Sequence, residues 1–163
     1  MKRLAIMFIC LAALLAAGGG HSSADGDAAA AGKKVSIIVH VDNAVKPGDL
    51  KNDDIKQIFL KNKTTWTDTT AIKPVQLASD TDEAKTFRKS IINMSEEDLA
   101  KHWKDKRAND GVDPPASKSD SASVFRYVSK NKDAIGFVSG SYLEGLAEDD
   151  KKKIKEILTV TSN

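Results

Sequence analysis

Cysteine occurs once in the 163 residues, and tryptophan and tyrosine twice each. The one cysteine, Cys10, lies inside an apolar N-terminal run, which leaves the rest of the chain without a disulfide, a thiolate nucleophile or a cysteine metal ligand. Histidine is scarce as well. His40 and His102 are the histidines beyond the N-terminal region; they lack HExxH or HxxxH spacing and read as packed or surface residues, so neither a metal nor a cofactor is expected. There is no GxxxxGK[ST] loop and no glycine-rich turn between a strand and a helix, which excludes the common nucleotide cradles. The stretch VSGSY around Ser139 lacks the GxSxG order of a nucleophile elbow, and NDG near Gly111 lacks the alternating acids of a calcium loop. With no nucleophile or metal cluster in view, the expectation is a protein that is not an enzyme.

Excess charge is missing too. Lys2 and Arg3 precede an apolar run, Leu4 to Ala17, too short for a comfortable membrane span, and small polar residues follow to Ala24. This order reads as a signal peptide over residues 1–24, with Ser22 and Ala24 at the cleavage positions and Ala16 and Gly18 as a second choice; the competing reading is an uncleaved anchor. Cleavage removes Lys2 and Arg3 and leaves basic residues equal in number to the 23 acidic ones. Such balance argues against nucleic acid or an anionic membrane as a partner held by bulk electrostatics, and no membrane insertion is expected after cleavage. The expected location is the periplasm.

Residues 25–33 are rich in alanine and glycine and read as a flexible lead-in. The remaining stretch, 34–163, is the size of one compact domain, able to bury roughly two-thirds of its unfolded surface. Val35 to Val41 is β-branched and nearly continuously apolar, as a strand buried on both faces would be. Pro47 and Gly48 mark a turn, after which Asn52 can cap a helix carrying Ile55, Ile58 and Phe59. A polar loop leads to a second strand, AIKPVQL, whose pairing Pro74 limits. SDTDEAKTF then starts a helix with Ala84, Phe87, Ile91 and Ile92 on one face. Ser95 to Asp98 resembles a capping box ahead of Leu99 and Trp103. Residues 109–120 read as a loop, Ser121 to Lys130 as a fourth helix that buries Val124, Phe125 and Val128, and Ala134 to Val138 as a short strand. The end, through Ile154 to Val160, fits either a helix or a closing strand. Strands separated by helical stretches predict an α/β fold, a mixed sheet with helices packed on it. Trp66 and Trp103 are expected to pack or to anchor loops rather than to stack on a ligand.

Five segments, IFLKNKTTW, IKPV, MSEEDLAKHW, GVDPP and KDAIGFV, occur in that order, and VKPGDL precedes them. Together they resemble the short substrate-binding proteins of phosphate-type ABC transporters, in the type II periplasmic-binding-protein superfamily. The resemblance implies one lobe of that fold. It also implies a solute, phosphate or another small oxyanion, held by hydroxyls and backbone N–H groups at a helix N-terminus, where unpaired donors and the helix dipole favour an anion. Carried onto this chain, the site falls on Ser79, Asp80 and Thr81, and the implied partners are the anion and an ABC transporter permease or another envelope protein.

Two features differ from full-length relatives. The glycine-rich loop that precedes this region in them has no counterpart here, and the turn carries Asp80 where glycine is usual, with no arginine. Asp80, Asp82 and Glu83 place negative charge where an anion would sit, each at a cost on the order of a kcal/mol near water. Asp80 and Glu83 also have capping-box spacing, so Asp80 is the expected N-cap. These features support an alternative reading, a single-lobe interaction or sensor module that keeps the fold without binding phosphate.

Overall fold

The computed structural model of the protein describes residues 33–162. The expected signal peptide, 1–24, and the lead-in up to residue 32 lie outside the described residues. Among those described, no helix is long and apolar enough to cross a membrane.

Five strands form one sheet: β1 (Lys34–His40), β2 (Lys73–Leu77), β3 (Ala116–Lys118), β4 (Ala134–Ser139) and β5 (Ile154–Thr161), in the order β3-β2-β4-β1-β5. β2 is parallel to β3 and β4, whereas β1 is antiparallel to β4 and to β5. β1 is therefore the single inverted strand, inserted between β4 and β5. Its burial follows from that position: Val35 to Val39 are fully buried, as both faces of a central strand require. The ambiguous C-terminus resolves as a strand.

Helices cover both faces. On one side Phe137 of β4 meets Phe59 of α1 (Asn52–Phe59) and Phe87 of α2 (Asp82–Phe87), with ring centroids 5.8 and 4.2 Å apart. α2 runs on into a π-helical turn, Arg88–Ile92, which ends at Asn93 in the left-handed conformation. On the same side lies α3 (Glu96–Asp110), which has no buried residue and touches the core through half-buried Leu99 and Trp103. On the other side α4 (Ser121–Val128) buries Val124 and Val128. Its approach is close: a Cβ on Gly136 of β4 would lie 2.7 Å from Val124 Cγ1 and 2.8 Å from Val75 Cγ1. Two short helices, α5 (Gly140–Glu144) and α6 (Glu148–Lys151), connect β4 to β5.

Some expectations are corrected. The loop expected over residues 109–120 contains β3, a short and largely exposed edge strand without the apolar alternation that marks a strand. Phe125, expected in the core, is half-buried and leans on Tyr142 of α5. Pro74 limits pairing as expected, although β2 lies inside the sheet, and the register explains how. The Lys73 N–H donates to Asp133 on the β4 side, so the nitrogen of Pro74 points the other way, where β3 pairs only from Val75 onward. Trp66 anchors its loop as expected: it is 6% exposed and donates its indole N–H to the Asp133 carbonyl at 3.2 Å.

Candidate functional site

The three mutually parallel strands β2, β4 and β3 end at the same edge of the sheet, and each is followed by hydroxyl residues. Ala78 to Thr81 follows β2, Ser119 to Ser121 follows β3, and Ser139 to Ser141 spans the end of β4 and the start of α5. Because β1 is inverted, its first residues lie at this edge too, which adds Lys33 and Lys34. Ligands of open α/β sheets bind outside the carboxyl ends of the strands.

The turn after β2 is tight. The N–H of Thr81 donates to the Ala78 carbonyl at 3.1 Å, with Ser79 and Asp80 at the centre of the turn, positions that serine and aspartate favour. The Ala78 N–H donates to Lys118 at 2.8 Å, which ties the turn to the end of β3. Thr81, not Asp80, is the N-cap of α2: its hydroxyl accepts the Ala84 N–H at 3.2 Å and donates to the Ala78 carbonyl at 2.8 Å. The expected Asp80–Glu83 capping box is therefore not formed, and the cap lies one residue later, at Thr81. The physical reason is the Ala78–Thr81 turn bond, which leaves Asp80 in the turn and places Thr81 at the extended position just before the helix. Among the described residues, Ser79 Oγ, the Asp80 carboxylate and the N–H groups of Asp82 and Glu83 have no hydrogen-bond partner.

The negative charge at this turn is partly offset. The Lys33 ammonium bonds Asp82, and Lys85 stands 3.7 Å from the same carboxylate. The Lys33 contact, with Lys85 adding to it, holds the Asp82 carboxyl below its ordinary value. Lys33 is itself fixed by a bond from its N–H to Ser162 Oγ at 2.8 Å. Lys34 lies over Gly140, where a Cβ would stand 2.7 Å from Lys34 Cγ, and pairs with Glu144 at 2.9 Å.

Sequence reasoning missed the second half of this edge. Asp120 caps α4 by accepting the Ser123 N–H at 2.7 Å, and the Ser119 hydroxyl, followed by the Ser123 donors, holds its carboxyl below the usual value. Ser121 Oγ accepts the Ser139 N–H at 3.0 Å, and the hydroxyls of Ser139 and Ser141 lie 2.7 Å apart. The available signal was a serine at or within two residues of the end of each of these three strands, Ser79, Ser119 and Ser139. Among the described residues, no group of three or more His, Cys, Asp or Glu side chains stands together as a metal site. His40 accepts the Asp42 N–H on Nδ1, and His102 Nε2 donates to the Leu60 carbonyl at 3.3 Å, so each is engaged with backbone.

No protein-family model and no curated protein matches the chain. Solved structures do. PstS from Borrelia burgdorferi superposes with a TM-score of 0.59 at 10% identity, over 78% of this chain and 47% of that one. An ABC-type phosphate transport receptor from Vibrio cholerae gives 0.57 at 18% identity, over 78% and 46%. A Clostridium perfringens protein with bound phosphate, assigned as a phosphate ABC transporter substrate-binding protein, gives 0.55 at 20% identity, over 81% and 56%. The chain spans about half the length of these structures. It has the α/β fold of one lobe of the binding proteins of phosphate transport.

Proposed function

We propose that this chain is a periplasmic, non-enzymatic solute-binding protein of the phosphate-transporter type, exported through a cleaved signal peptide, that holds phosphate or a similar small oxyanion at the Ser79–Thr81 turn. One observation carries the reading. At the carboxyl end of β2, Ser79 Oγ and the N–H groups of Asp82 and Glu83 are donors without a protein acceptor among the described residues. Such donors suit an anion without any net positive charge on the protein. Lys33 and Lys85 reduce the repulsion from Asp82, and Asp80 and Glu83 are left as the opposing charges. An ABC transporter permease is the proposed protein partner.

Calorimetric titration with inorganic phosphate and with sulfate tests the reading. Heat of binding is expected, weakened in Ser79→Ala and strengthened in Asp80→Asn. No heat with either anion at millimolar concentration would remove the oxyanion.

A second reading has its own observation. The Thr81 hydroxyl is committed in both directions, to Ala78 and Ala84, so part of the implied anion cradle serves the fold alone. Under that reading the edge is a protein-interaction or sensor surface. Cross-linking from a reactive group placed at Asp80 to a purified permease, in protein that binds neither anion, would select it.

A further inference from the structure

Beneath α3 lies a small cavity of about 70 Å³. Its floor is the cluster of Phe59, Phe87 and Phe137, in which Phe87 and Phe137 stack at 10°. Its roof is Leu99 and Trp103, the two residues through which α3 touches the core. Three polar side chains complete the lining. Gln76 and Ser79 have no side-chain hydrogen bond among the described residues, and Arg88 brings a guanidinium.

The Arg88 side chain is only 17% exposed, and its ion-pair partner among the described residues is Glu96, at 3.1 Å. Glu96 is itself 69% exposed and does not line the cavity. A sheltered arginine at an apolar cavity is thus paired with a carboxylate that reaches it from solvent. The Glu96 side of the pair is solvated and returns to water at little cost, so a carboxylate arriving from outside can take its place on Arg88. A guanidinium also binds carboxylates in a two-pronged geometry that Glu96, contacting one nitrogen, does not complete.

The geometry points to a binding site for a small aliphatic monocarboxylate, its head group on Arg88 in place of Glu96 and its hydrocarbon body between the phenylalanine floor and Trp103. Size selects the body. A cavity of ~150 Å³ lined by apolar side chains holds benzene, so one of half that volume takes roughly three or four carbons. Pockets with a mostly apolar lining and a few converging polar groups are the usual form of small-molecule sites. The access route is at α3, which has no buried residue and holds the roof in place through few contacts. The carboxylate site meets the oxyanion turn at Ser79 but depends on residues outside it, so either can fail alone.

The test is methyl-resolved NMR of the protein titrated with butyrate, with butyramide as the uncharged isostere, following Leu99 and Ile92 in the cavity lining. Butyrate is expected to shift these methyls saturably at millimolar concentration. Arg88→Gln should weaken butyrate about tenfold, the equivalent of 1.4 kcal/mol, and leave butyramide unchanged, which also verifies that the variant is folded. Ala84→Leu, which fills the cavity, should abolish both responses. Glu96→Gln, at an exposed position, should tighten butyrate by removing its competitor. Absence of any shift at tens of millimolar, or binding that survives Ala84→Leu, would overturn the site. Equal butyrate affinity in Arg88→Gln and Glu96→Gln would overturn the role of Arg88.

Discussion

Ser121 Oγ accepts the backbone N–H of Ser139 at 3.0 Å and so joins the start of α4 to the end of β4, across the edge where the candidate site lies. The bond satisfies a half-buried donor that the sheet does not use. Ser121→Ala is expected to destabilise the protein by about 1–2 kcal/mol, the cost of leaving such a group unpaired. Urea unfolding measures it against Ser141→Ala, whose hydroxyl is exposed; equal losses would mean that water replaces the bond.

Thr81 and Asp80 make opposite predictions. Thr81→Ala removes the N-cap acceptor and should cost about 1 kcal/mol. Thr81→Asp should recover much of it, because a carboxylate accepts the same Ala84 N–H. Asp80→Ala should change stability little, since its side chain caps nothing among the described residues. Thermal unfolding of the three variants decides which residue caps α2.

Gly136 is fixed by space. Its modest extra methyl, in Gly136→Ala, would meet Val124 and Val75 at 2.7 and 2.8 Å and force α4 off the sheet. Overpacking of this kind costs typically ~1–3 kcal/mol. Denaturant unfolding that showed Gly136→Ala as stable as the parent would mean that α4 moves freely.

Acid should destabilise the fold through particular carboxylates. Asp120 is held below its ordinary value of 3.8 by the Ser119 hydroxyl and the Ser123 donors, Asp54 by the Lys51 N–H and then Lys63, and Asp82 by Lys33 and Lys85. A carboxyl whose value is lower folded than unfolded binds fewer protons when folded. Its stabilising contribution is therefore complete above the ordinary value and is lost as pH falls through it to the folded value. Asp120→Asn keeps an N-cap acceptor but cannot titrate, so its unfolding midpoint should fall less steeply with acid than that of the parent. Parallel acid profiles would refute the assignment.

Much of the fold was legible because its central strands leave strong signals. Val35 to Val41 and Ala134 to Val138 are apolar runs, and they became β1 and β4 with small boundary changes. β3 was invisible because Ala116, Ser117 and Lys118 bury too little to leave a pattern. The candidate site was half legible. SDTDEAKTF announced a helix start, but the choice of Thr81 over Asp80 depends on the Ala78–Thr81 turn bond, which no spacing rule reveals. Ser121 and Ser139 were missed because their proximity is made by α4 crossing the sheet, a relation between strands rather than within one segment.

The inverted strand β1 also governs the order in which this chain can fold. Its two neighbours, β4 and β5, are the last two strands, so pairs such as Val35↔Ser139 and Ile37↔Leu158 join residues about a hundred positions or more apart, a long-range pairing of the kind that slows folding. Among the described strands β1 comes first in the chain, and both of its partners come last. A chain truncated before Ala134 would leave Val35 to Val39 with neither neighbour, so β1 cannot enter the sheet until β4 is available.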